Sequence, residues 1–318
     1  MTIEKLDKNL IPDAYLKTKI TSAGNMTELM SMTTGWQGSP TRKVDKDYYV
    51  DLRTGELLKY KHIEKRLESK KSLRATFARV RGVINANVTD SEKSIFLTLT
   101  YAENMTDTKR LCSDFSAFWK RFTRWCKSNN VAVPEYICVI EPQERGAWHA
   151  HIVLIWQVSA PFIANDVIAG LWRHGFTKTQ AIKDCDNVGA YFSAYMSDIP
   201  LDDVERLPEH ERSRVMALAD DVIEKTFKDE QGNKKTKKFV KGGRMAFYPA
   251  GMNILRCSHG IKRPEVEYLE YHEAQKKVSS DKETFSQAYA VVDDDGKKRN
   301  TIYKSHYNRK RFENQAQK

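Results

Sequence analysis

The stretch "EYICVIEPQERGAWHAHIVLIW" (residues 135–156) limits what this chain can fold into more than any other segment. Two runs rich in valine, isoleucine and aromatic residues flank the turn-forming "PQERG", the pattern of a β-hairpin with a buried face. Inside the second run, His149 and His151 are separated by one residue. Successive side chains of a strand point to opposite faces, so both imidazoles project one way while Trp148, Ala150 and Ile152 project the other. The bland explanation is a pair of histidines satisfied by hydrogen bonds. The sharper one is a shared metal ion, for which neutral imidazole is the commonest ligand.

The hairpin supplies a third ligand. With "PQERG" as a five-residue turn, Glu141 pairs with Ala147 and Val139 with His149, which puts Glu141 on the histidine face, diagonal to His149. Two imidazoles and one carboxylate leave coordination positions open, as a catalytic divalent site does and a closed structural site does not. Gln143 or Glu144 in the turn is the alternative third ligand, because a slip of one residue would carry Glu141 to the other face. The next same-face position is Val153, which excludes an HxHxH nucleotide hydrolase.

The surrounding pattern reads as a mixed fold. "SIFLTLTY" (94–101) is a strand by its alternation and β-branched content. Leu111, Phe115, Phe118, Phe122 and Trp125 recur at helical spacing within 107–129. Residues 135–141 and 147–156 are the second and third strands, 164–174 a helix, 176–184 a fourth strand and 187–198 a further helix. The order βαββαβ plus a helix predicts an α+β fold with a ferredoxin-like or RRM-like antiparallel sheet, its first and third strands central. Four parts are expected: a basic N-terminal extension (1–88), irregular to 58 and helical over 60–88; the core (89–200); an accessory charged helix and hairpin (201–275); and a basic polar tail (276–318).

Tyr191 and Tyr195 in "GAYFSAY" are four apart, one turn from each other on a predicted helix. Tyrosines at this spacing usually pack a core. Beside a metal site that grips a phosphodiester they take another meaning, because a phenol can attack phosphorus once a cation or base helps its proton leave.

Charge bears on the partner. The chain of 318 residues carries a formal net charge of +11, with basic runs at 59–81, 234–244 and 297–311. Any one run alone is best read as a solvated face; three, with aromatics interleaved in the last, favour nucleic acid. The five cysteines contain no CxxC pair and read as reduced thiols. No signal-peptide core or long uncharged apolar run is present, so a soluble, cytoplasmic protein is expected.

Three segments, in order, resemble the HUH endonuclease superfamily, specifically the two-tyrosine rolling-circle replication initiators of plasmids and phages. "FLTLTY" is similar to its first motif, "HAH" to its metal motif and "YFSAY" to its tyrosine motif, with the likeness extending over about residues 75–265. The resemblance implies a nickase of single-stranded origin DNA in which His149, His151 and Glu141 hold Mg²⁺ or Mn²⁺. Tyr191 or Tyr195 would attack the scissile phosphate, giving a 5′-phosphotyrosine and a free 3′-hydroxyl. The lysine usual between or just after the tyrosines is replaced here by Ala194 and Asp198, with Lys183 as candidate substitute. Further nucleic-acid contacts are expected from Thr98, Thr100, Arg79 and Arg81. No GxxxxGK[ST] loop occurs, so a host helicase would unwind the DNA and a host polymerase extend it. A relaxase or transposase of the same superfamily, or a non-catalytic RRM-like binding module, is the alternative.

Overall fold

The computed structural model describes residues 2–34, 41–52, 54–60, 70–143, 146–182, 187–218, 221–228, 234–249 and 252–311. It forms two compact units, Met1–His62 with Arg263–Lys318, and Ile63–Lys262. The first unit opens with β1 (Thr2–Lys5), β2 (Lys17–Ala23), β3 (Met26–Met32), β4 (Thr41–Lys43), β5 (Tyr48–Asp51) and β6 (Leu57–Lys59). The second holds α1 (Lys70–Asn87), β7 (Ser94–Thr100), α2 (Thr108–Ser128), β8 (Glu135–Pro142), β9 (Trp148–Ile155), α3 (Asn165–Trp172) and β10 (Thr177–Ala181). It continues through α4 (Val188–Ser197), β11 (Ile199–Pro200), α5 (Leu201–Glu205), α6 (Glu209–Leu218), β12 (Val222–Lys228), β13 (Lys234–Val240) and β14 (Leu255–Cys257). The chain then returns to the first unit with β15 (Glu265–Glu270), α7 (Tyr271–Lys277), β16 (Lys282–Val292) and β17 (Lys298–Asn308).

In the second unit an antiparallel sheet runs β10-β7-β9-β8-β14, so β7 and β9 lie inside it, an order compatible with the split βαβ expectation. Alternation along these strands sorts their side chains into two faces. Leu97, Leu99, Ile140, Ala150, Ile152 and Leu154 are all buried on one of them. Helix α2 covers this face because its stripe of Leu111, Phe115, Phe118 and Phe122 is apolar on one side only. Burying each phenyl ring contributes about 1.5–3 kcal/mol. Phe115 and Trp119 both meet Tyr136 of β8, with ring centroids 5.3 and 4.5 Å apart. Asp107 caps the helix by accepting from the amides of Lys109 and Arg110. Helix α3 joins the same layer through Trp172, which is fully buried, packs on Phe118, and donates its indole N–H to the Thr100 carbonyl at 2.9 Å. Helix α4 lies on the opposite face, the one carrying the histidines, where Phe192 packs on Phe96 at 4.5 Å.

The ends of the chain depart from expectation. Residues 1–58 are not irregular and 276–318 are not a tail, because β1, β16, β17, β3, β2 and β15 form one six-stranded antiparallel sheet in that order. Its core is Ile20, Leu29, Ala274, Val278 and Tyr307. The stretch expected as one charged helix after residue 200 is α5 and α6, broken at Pro208, and its end from Val222 is strand β12. The hairpin expected there does form, β12 pairing with β13. Of the basic helix expected over 60–88, α1 covers Lys70–Asn87, and residues 61–69 lie outside the described residues. Among the described residues no helix is long and apolar enough to cross a membrane.

Candidate metal centre

Strands β8 and β9 bring Glu141, His149 and His151 to one face. The register places Glu141 directly opposite His149 and Val139 opposite His151, two residues from the pairing expected of a five-residue turn. The ladder runs on to Pro142 opposite Trp148, and the Gln143 amide donates to the Ala147 carbonyl at 2.7 Å, so the loop is tighter than "PQERG" suggested. Gly146 makes this possible with φ of +83°, a left-handed conformation that costs glycine little. A shift of two preserves the face, and Glu141 keeps its place beside the imidazoles. Gln143 is half-buried in the loop, and Glu144 lies outside the described residues.

One ligand atom from each of the three residues lies within 4.8 Å of the others. Around a Mg²⁺ ion with oxygen ligands at about 2.1 Å, opposite ligand atoms are about 4.2 Å apart. Sub-ångström side-chain adjustments therefore close this group on one divalent cation. Glu141 and His151 are buried, and His149 is half-buried. His151 Nε2 meets Glu141 Oε2 directly. On its other side, His151 Nδ1 lies 3.2 Å from Thr98 Oγ1, and Phe96 stacks parallel to the ring with centroids 5.5 Å apart. With Thr98 accepting from Nδ1–H, Nε2 keeps a bare lone pair facing the centre. Burial by itself pushes the Glu141 carboxyl up. His151, by charge and hydrogen bond, then Arg244 and His149 outweigh that and hold it below the ordinary carboxylate range.

Arg244 is the functional residue that sequence reasoning missed. It sits in a short 3₁₀ turn, Gly243–Phe247, far along the chain from the hairpin. Its Nε is 3.0 Å from Glu141 Oε1, the oxygen turned away from His151. The same guanidinium donates to the Pro142 carbonyl at 3.3 Å and to the Asp198 carbonyl at 3.4 Å. Asp198 directly follows α4. Its own buried carboxylate accepts from Lys225 Nζ at 2.7 Å and from the Gly242 amide at 2.9 Å. One arginine thus ties the glutamate of the hairpin to the end of the tyrosine helix. The only sequence signal was its place in the basic run 234–244, which says nothing of a buried partner.

The start of the tyrosine helix is fixed against α1. Asn85 accepts from the Gly189 amide at 2.8 Å and donates to Asn187 Oδ1, which in turn accepts from the Ala190 amide. Gly189 is required here because a Cβ would come within 2.3 Å of the Arg81 carbonyl oxygen. Tyr191 is 63% exposed and edge-on to Phe192. The backbone of Tyr195 follows one turn on in α4; its side chain lies outside the described residues, as does Lys183. The lysine that reaches the end of α4 among the described residues is Lys225. Thr100 lies opposite His149. Arg79 and Arg81 are exposed on α1.

Fold and site together define an α+β protein with a buried Glu/His/His centre on an antiparallel strand pair and a tyrosine-bearing helix docked on the same face. Residues 94–199 match the family model of the ORF2-type replication-associated proteins. That segment contains the strand pair, the metal-ligand group and α4, and it suggests a role in replication initiation. Arg244 and the β12–β13 hairpin lie outside it. No curated protein and no solved structure matches the chain.

Proposed function

We propose that this chain is an HUH-type replication initiator on a ferredoxin-like core, a divalent-dependent nickase of single-stranded origin DNA that starts rolling-circle replication. The observation that carries this reading is the convergence of Glu141, His149 and His151 on the sheet face that also receives α4, within the segment similar to replication-associated proteins. Those three side chains would hold Mg²⁺ or Mn²⁺, whose chemistry is to withdraw charge from the scissile phosphate. Thr98 and Phe96 fix the His151 ring, and Arg244 fixes Glu141, so the ligand group is formed before DNA arrives. Thr98 thereby acts on a ligand instead of on DNA.

The reaction itself belongs to a phenol on α4. The Tyr191 or Tyr195 oxygen forms a bond to phosphorus, the bond from phosphorus to the 3′-oxygen breaks, and the phenolic proton passes to solvent while the 3′-oxygen takes one up. One phosphodiester replaces another, so the linkage energy is kept and a second transesterification can reseal the strand. The exposure of Tyr191 supports access by an extended strand. Exposed Arg79 and Arg81, with Thr100 and Lys183, would contribute to holding that strand, host enzymes supplying unwinding and synthesis.

The test is incubation of the protein with a labelled single-stranded origin oligonucleotide and Mn²⁺. The expected product is a shortened strand whose 3′-hydroxyl a polymerase extends, absent when EDTA is added. A strand that is bound but stays intact throughout leaves the RRM-like binding module as the answer.

A further inference from the structure

The hairpin of β12 and β13 is not used by the chemistry above. Its strands carry six lysines (225, 228, 234, 235, 237 and 238) against one acid, Glu224. The register sets Lys225 opposite Lys237 and Lys228 opposite Lys234, pairings between like charges that destabilise an isolated ribbon. Lys225 is neutralised from within the fold by Asp198 and covers the Phe239 ring at 4.8 Å. Lys234, Lys237 and Lys238 are exposed. Strand β11 pairs only with Phe239 and Val240 at the base, so beyond them the hairpin continues as a bare two-stranded ribbon.

We infer that this ribbon is the chain's grip on double-stranded DNA beside the nick site, with its lysines neutralising phosphates along a groove. This rests on the proposed nickase reading. Two strands about 4.8 Å apart and roughly 23 Å long (seven residues at about 3.3 Å) fit a major groove about 12 Å wide. Duplex is favoured over single strand by what the ribbon presents. Described residues on its projecting part are lysines and the hydrogen-bonded pair Thr226 and Thr236, and its described aromatic, Phe239, is half-buried under Lys225 at the base. Single-strand grooves depend on aromatic platforms that stack bases.

The base of the ribbon is fastened where position matters most. Lys225 and the Gly242 amide both bind the Asp198 carboxylate, and Arg244 joins the Asp198 carbonyl to Glu141. A duplex held by the ribbon is therefore held in fixed relation to α4 and the metal-ligand group. The ribbon sets how far from the duplex end the phosphate is cut.

The experiment compares the full chain with a Lys234→Ala, Lys237→Ala, Lys238→Ala variant on a short duplex bearing a single-stranded extension and on the same single strand alone. Neutralising a phosphate contributes about 0.9 to the slope of log affinity against log salt. The variant should lose about 2.7 from that slope on the duplex substrate and on the order of 100-fold in affinity near physiological salt. On the bare strand, affinity and slope should change little. Unchanged duplex affinity overturns the inference, and so does an equal loss on both substrates, which would mean the ribbon follows single strands. The comparison reads binding, so a chain that binds but never cuts would sink the nickase reading and leave the ribbon's role decided separately. Near-ultraviolet circular dichroism confirms that the variant keeps its packing.

Discussion

Replacing Arg244 by glutamine removes a guanidinium that the fold uses at three acceptors at once. The contact with Glu141 Oε1 at 3.0 Å is a charge-assisted hydrogen bond between two buried side chains. The bonds to the Pro142 and Asp198 carbonyls are longer, at 3.3 and 3.4 Å. Removing one member of a buried ion pair costs about 3–5 kcal/mol, most of it from the charge left behind. Here the two imidazoles still compensate part of the Glu141 charge, which places the loss near the lower end, about 3 kcal/mol. For a unit of this size that lowers Tm by roughly 6–12 °C. The effect on the metal is separate. Glu141 would no longer be held with Oε2 toward the histidines, and loss of such an orienting partner typically costs 10–100-fold in metal affinity. Calorimetric titration of Mn²⁺ into the wild type and Arg244→Gln measures this directly. Arg244→Lys should recover the charge but not the fork that reaches both carbonyls, and so fall between them. If Mn²⁺ affinity is unchanged or rises in the glutamine variant while the protein stays folded, the positioning argument is wrong.

Three further outcomes are expected. Thr98→Val keeps the side-chain shape but removes the partner of His151 Nδ1; Mn²⁺ affinity should fall by at least about 10-fold, with a smaller change in Tm. Gly189→Ala drives a methyl group into the Arg81 carbonyl and the Asn85 cap, so it should cost about 1–3 kcal/mol in thermal denaturation and slow strand cleavage by displacing α4. In the first unit, burial raises the Glu28 carboxyl, but His306 and Lys304 bring it down to about 2 from an ordinary 4.5. Its stabilisation is complete above about pH 4.5 and disappears as the pH falls toward 2; Glu28→Gln should therefore destabilise by about 1–2 kcal/mol at neutral pH, discounted for partial exposure, and the gap to wild type should close in an acid titration followed by circular dichroism.

What the sequence disclosed follows from where its information is local. Strands β7, β8 and β9 and helix α2 bury nearly uniform apolar faces, so residue type and periodicity suffice to find them. The metal-ligand face was legible because alternation fixes parity: the loop was tighter than expected and the register moved by two, yet Glu141 stayed with the histidines. The first unit was illegible for the opposite reason. Its strands β2, β3, β16 and β17 are rich in lysine, threonine, serine and glutamate, and its sheet pairs β17, near one end of the chain, with β3, near the other. No local pattern reports a partner more than 250 residues away, although "AYAVVDDDGKKRNTIY" does carry an Asp-Gly turn between alternating runs. Arg244 and Asp198 were hidden in the same way. Arg244 belonged to a basic run whose other members are exposed, and only the return of the chain beneath the hairpin makes it a buried partner of Glu141.

The central claim, that a phenol on α4 works beside a cation held by the β8–β9 strand pair, is tested most directly by mass-spectrometric mapping of protein treated with a single-stranded oligonucleotide and Mn²⁺. The account predicts a nucleotide mass attached to Tyr191 or Tyr195, lost on Tyr→Phe replacement of the acceptor and strongly reduced in His151→Ala. No attached nucleotide, or an adduct that forms undiminished without the His151 imidazole, would contradict it.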